Sequence, residues 1–103
     1  MLDAGMRVVA VGSRPFVAGF RLAGASGIEV DSPESLLRET QRLVKTRDIG
    51  LILLDESLSV KVRQEISRIR AEHPSPIIYE VPGPGSKLEP INYRDILRQI
   101  LGV

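Results

Sequence analysis

Residues 49–54, Ile-Gly-Leu-Ile-Leu-Leu, are the most hydrophobic run of the chain and contain no polar side chain. A strand with one face in water alternates apolar and polar residues. An unbroken apolar run belongs to a strand covered on both faces, the position of a central strand in a parallel sheet. Parallel neighbours must be joined by crossovers long enough to hold helices. The other apolar runs, residues 7–11, 28–30 and 77–81, fit that demand, because helical patterns separate all four.

Each intervening segment carries helix signals. Residues 15–23 hold Phe16, Gly19 and Phe20. Pro15 suits the first helical turn, where no intrahelical N–H is needed, and Gly24 suits the left-handed position beyond the last turn. Gly19 is expected to let this helix approach the sheet closely. Ser32-Pro33 reads as an N-cap and first helical residue. Leu36, Leu37, Thr40, Leu43 and Val44 then follow at helical spacing through Thr46. After Asp55-Glu56-Ser57, a helix over residues 60–73 shows a narrow stripe of Val62, Ile66 and Ile69. The rest of its surface is charged, with Lys61, Arg63, Glu65, Arg68, Arg70 and Glu72, and Pro74 ends it. Pro82-Gly83-Pro84-Gly85-Ser86-Lys87 cannot be regular structure, and residues 92–101 form a last helix.

This order predicts an α/β fold: a small receiver-like (Rossmann-like) three-layer domain with a four-stranded parallel sheet and a C-terminal helix. Right-handed crossovers favour the strand order 2-1-3-4. The body is expected over residues 1–82, and residues 83–103 are expected to form a connector and a mobile helix. Met6 restarts the sequence, so residues 1–5 read as a disordered tail or an upstream start.

Fourteen basic and thirteen acidic residues give a net charge of +1 over 103 residues, so no bulk field points to nucleic acid or to an anionic membrane. No apolar stretch approaches the ~18 residues that a membrane span needs, and direct membrane insertion is not expected. The chain has no cysteine, which fits a reducing, cytoplasmic setting.

Ligands of such folds sit beyond the carboxyl ends of the strands. Asp55 closes the central strand, where bacterial receiver domains keep their phosphoacceptor. Phosphoryl transfer there needs an acidic pair after strand one to hold a divalent cation, and Gly12-Ser13 supplies none. Asp55 is therefore expected to cap the helix that follows. Gly83-Pro84-Gly85-Ser86-Lys87 is no phosphate loop, because Pro84 removes an N–H and the spacing is wrong. His73 is the sole histidine, at the far end of a helix, so Ser13, Ser57 and Ser86 have no base to activate them and a metal has no second nitrogen ligand. Catalytic residues, metal ligands and cofactors are not expected. The active part is instead expected at Tyr93, Ile96, Leu97, Ile100 and Leu101, one apolar face over ten residues, reached through the connector Pro82, Gly83, Pro84 and Gly85. A helix this short is marginal alone and must dock, either on the sheet or along a partner helix.

Gly-Phe-Arg-Leu-Ala-Gly at residues 19–24, Asp48-Ile49-Gly50-Leu51-Ile52-Leu53-Leu54-Asp55-Glu56 and Val81-Pro82-Gly83-Pro84-Gly85 occur in this order. Together they resemble the F-subunit family of archaeal/vacuolar-type (V-type) ATP synthases over residues 6–103. The resemblance implies a non-catalytic central-stalk (rotor) component serving ATP synthesis or hydrolysis coupled to proton or other ion transport. Its implied partners are the coiled-coil D subunit of the rotor and, transiently, the catalytic A and regulatory B subunits. The stalk component joining the membrane ring completes the set. Regulation would run through the C-terminal helix, and the chain would be peripheral to the membrane through the complex. Arg63 and Arg70 on the third helix join the tail as interface candidates. Many family members have Gly-Asp where this chain has Gly12-Ser13, so that acid has no role here. The competing reading is a stand-alone signalling or small-ligand domain using the strand-end crevice around Gly12, Asp55 and Pro82.

Overall fold

The computed structural model describes residues 6–82 and 93–102. The segment 83–92, the two chain ends and the side chains of Tyr93 and Ile96 lie outside the described residues, and with them the expectations for residues 1–5 and for Gly83, Pro84 and Gly85. The elements in chain order are β1 (Arg7–Gly12), α1 (Arg14–Leu22), β2 (Ser26–Glu29), α2 (Pro33–Leu43), β3 (Ile49–Asp55), α3 (Glu56–Ser59), a 3-10 turn (Val60–Val62), α4 (Arg63–Glu72), β4 (Ile77–Val81) and α5 (Tyr93–Leu101). The strands form one parallel sheet in the order β2-β1-β3-β4, as predicted.

The alternation along each strand divides the core in two. Val9 and Val11 of β1, Ile52 and Leu54 of β3 and Ile78 of β4 point to the face covered by α2 and α4. Leu36, Leu43, Val44, Val62, Ile66 and Ile69 meet them there. Ala10, Leu51, Leu53 and Val81 point to the other face, under Phe16, Val17 and Phe20 of α1. The two phenylalanine rings pack with centroids 5.0 Å apart at a tilt of 59°. β3 is buried along almost its whole length, which is why its sequence shows no alternation. On β4, at the sheet edge, Ile77 and Tyr79 remain 60% and 47% exposed.

The helix boundaries follow from their caps. Ser32 Oγ accepts from Ser35 N at 3.0 Å and Ser32 N donates to Ser35 Oγ at 3.2 Å, a reciprocal capping box with serine in the place usually held by glutamate. α1 ends at Gly24, whose φ of +106° lies in the left-handed region, with Gly24 N donating to Arg21 O at 3.0 Å and Ala25 N to Phe20 O at 2.9 Å. This is a Schellman closure, with Ala25 packed against the same cluster as Phe20.

Two expectations need correction. β2 spans Ser26–Glu29 rather than residues 28–30. The added residues pair with Val9 and Ala10 of β1, and Gly27 among them lies so close to α1 that a Cβ there would run into Val17 Cγ1 and the Arg21 side chain. Gly27 of the strand is thus one point where α1 approaches the sheet closely, and Gly19 is half-buried on the helix. The third helix is not continuous over residues 60–73. Asp55 caps a short turn, α3, and Val62, with φ −126° and ψ 30°, separates the 3-10 turn from α4. That break turns Val62 inward and buries Ser59, whose hydroxyl donates to the Glu80 carboxylate across on β4.

Candidate functional site

The crevice beyond the carboxyl ends of β1 and β3 is closed by Asp55. Its side chain is fully buried. Oδ2 accepts from the main-chain N–H of Ser13 at 3.0 Å, and Oδ1 accepts from Ser57 N at 3.1 Å and Ser57 Oγ at 2.6 Å. Both oxygens are thus engaged by the chain itself. A Cβ on Gly12 would collide with Asp55 and with the Phe16 ring, so glycine at this position lets the carboxylate reach the α1 N-terminus. Asp55 is the predicted cap. It also forms a tie between the ends of the two central strands, which nothing in the local sequence signals.

Beside it, a cavity of about 530 Å³ is lined by Ser13, Arg14, Glu29, Val30, Asp31, Ser35 and Glu39. Three of these residues are carboxylates. Glu39 accepts from Arg42 at 2.8 Å, and Glu29 lies 3.7 Å from Arg21 and 4.0 Å from Arg14. A phosphate placed here would face more acids than bases, and Ser13 N–H, which a helix N-terminus would offer an anion, already serves Asp55. Among the described residues no group of three or more His, Cys, Asp or Glu is placed to hold a metal ion.

The predicted interface residues are spread over two faces. Arg63 is half-exposed on α4, 3.6 Å from Glu56 and 3.5 Å from Glu80. Arg70 donates to the main-chain carbonyl of Ile78 at 3.1 Å. Both sit on the face of α2 and α4. α5 lies on the opposite face, where Leu97, Ile100 and Leu101 pack, half-buried, against the cluster built by Phe16, Val17 and Phe20. The structure therefore does not bring the α4 arginines and the tail together. It does place Pro82, half-buried, directly after β4.

No described helix is long and apolar enough to cross a membrane. Residues 8–100 match the model of the family described as ATP synthase (F/14-kDa) subunit. The chain is 40% identical over 78 residues to the A-type ATP synthase F subunit of Methanococcus maripaludis strain S2, covering 75% of this chain and 74% of that protein. It is 37% identical over 105 residues to the protein of the same name in Thermococcus kodakarensis, covering 95% and 96%. It is 29% identical over 100 residues to that of Methanocaldococcus jannaschii, covering 95% and 97%. A small parallel α/β body whose strand-end acid is consumed as a cap, matched over residues 8–100 by the family model, belongs to the ATP synthase (F/14-kDa) subunit family.

Proposed function

We propose that this chain serves as an accessory, non-catalytic F subunit in the central stalk of an A-type ATP synthase. It binds the coiled-coil D subunit of the rotor and transmits rotation between ATP turnover and ion translocation. In this reading the chain is cytoplasmic and peripheral to the membrane through the complex. The A and B subunits meet its C-terminal segment transiently, and the stalk component joining the membrane ring is a further neighbour.

The observation that carries the proposal is the seating of α5. Its apolar residues Leu97, Ile100 and Leu101 pack against the Phe16, Val17 and Phe20 cluster but are only partly buried, whereas those three aromatic and aliphatic side chains are fully buried. A nine-residue helix does not hold its shape alone, so α5 must rest on some surface. At about 25 cal/mol per Å² of apolar area, partial burial of three such side chains contributes on the order of a few kcal/mol before ordering costs. A second surface of similar area, along a coiled coil, would compete with the first. The balance between the two would then respond to small biases from neighbouring subunits or bound nucleotide. Support for the absence of catalysis comes from Asp55, whose oxygens are both held by the chain itself.

The test is co-purification with the coiled-coil D subunit from the same genome, by size exclusion at matched concentrations. A stable one-to-one complex is expected. Two separate peaks, with the coiled coil folded, would refute the rotor reading and return attention to the strand-end crevice.

A further inference from the structure

A second concavity, of about 240 Å³, lies where the C-terminal end of α1 meets α5, lined by Ala23, Arg94, Leu97, Arg98 and Leu101. The four α5 residues stand at i, i+3, i+4 and i+7, so they form one row along the helix, about 10 Å long at 1.5 Å per residue. Leu97 and Leu101 turn partly into the core and leave an apolar floor, while Arg94 and Arg98 are exposed along the rim. Leu22, next to Ala23 in the last turn of α1, is 82% exposed, the most exposed large apolar side chain among those described. A floor of leucines beside a row of guanidinium groups is the complement of a helix that carries an apolar stripe flanked by carboxylates.

We propose that this groove receives an acidic amphipathic helix of a neighbouring subunit. The inference rests on the chain's place in the ATP synthase, and it adds the surface and the chemistry of the partner. Charge decides between occupants. Guanidinium groups pair with carboxylates in bidentate geometry. The existing Arg98–Asp95 contact, at 3.9 Å between groups 67% and 60% exposed, is a solvated pair that exchanges at little cost. A second copy of this chain offers a poor fit, because its own α1–α5 surface would bring arginines against arginines. Nucleic acid would need more than two cations and no leucine floor.

The experiment uses the soluble sector of the ATP synthase encoded with this chain, assembled without this chain, and titrates into it the fluorescently labelled full-length protein. Wild type, the double variant Arg94→Glu/Arg98→Glu, and Leu22→Ser are compared. All three positions are exposed, so thermal melts are expected to match. The arginine variant should bind about tenfold or more weakly at about 50 mM salt, with the gap narrowing towards about 300 mM as screening takes over. Leu22→Ser should weaken binding by a factor that salt does not change. Equal binding of wild type and the arginine variant would overturn the groove assignment while leaving the rotor reading intact. A loss confined to self-association of the free chain would overturn it in favour of a second copy. Failure of the wild-type chain to bind at all would overturn the rotor reading and this inference together.

Discussion

Replacing Asp55 by alanine separates a structural acid from a reactive one. The variant removes three acceptor contacts at once: those to Ser13 N, Ser57 N and Ser57 Oγ. Hydrogen bonds to a charged group contribute about 1.5–3 kcal/mol each, but these three share one carboxylate and do not add. Removing a buried charge also recovers part of its desolvation cost. The loss of an N-cap alone costs about 1 kcal/mol. Orphaning Ser13 N–H near the core adds about 1–3 kcal/mol. The net expectation is a loss of about 3 kcal/mol, a large share of the roughly 5–15 kcal/mol that holds a domain of this size. At about 4–8 °C per kcal/mol, the melting temperature should fall by roughly 12–24 °C. Asp55→Asn should lose about half as much, since one oxygen still accepts while its NH₂ faces a donor. Thermal and urea unfolding followed by far-UV circular dichroism read both variants. An Asp55→Ala variant within about 0.5 kcal/mol of wild type would refute the cap-and-tie assignment. So would Mg²⁺-dependent phosphorylation of the wild-type chain by acetyl phosphate that disappears in the Asn variant.

Other expectations concern the backbone and the core. Gly24→Ala has open space around its new methyl group but a φ of +106°, so it should lose about 1–2 kcal/mol. Gly27→Ala should lose about 1–3 kcal/mol by pressing on Val17, and Val17→Ala should recover part of that loss in a double-mutant cycle, whereas it should not rescue Gly24→Ala. Ser32→Ala opens the capping box and should cost about 1 kcal/mol, with amide exchange rising in the first turn of α2 alone. Ile66→Ala, at a fully buried position, should cost about 2–5 kcal/mol by urea unfolding and leave binding to the stalk unchanged once refolded.

The sheet was legible because hydrophobic patterning reports burial directly. β3 lacks alternation since both its faces are covered, and Ser32-Pro33 and Gly24 mark helix ends with residues whose chemistry fits few other places. β2 was harder to place. Its apolar residues are few, and Gly27 lies against Val17 of another element, a contact that no local pattern encodes. The break before α4 was likewise hidden. Val62, Ile66 and Ile69 keep a helical spacing across it, while the cause lies in Asp55 drawing a turn forward and Ser59 reaching Glu80, 21 residues away. For the surface, residue type alone made Arg63 and Arg70 look alike. Only three-dimensional contacts distinguish an arginine between two carboxylates from one resting on a strand. The groove of Arg94 and Arg98 was invisible for the same reason, since Ala23 lies about seventy residues from its other walls.

Arg70 has a consequence for how the molecule behaves in a crowd. β4 is the last strand of the sheet and leaves Ile77 and Tyr79 well exposed, which would suit it to recruit another extended chain. The guanidinium of Arg70 lies on the main-chain carbonyl of Ile78, near the start of that strand. An incoming strand would have to displace a hydrogen-bonded cation before it could pair there, so edge-to-edge growth of sheets, and the precipitation that follows from it, is discouraged at its starting point. A single charged side chain thereby keeps an apolar edge compatible with high local protein concentration.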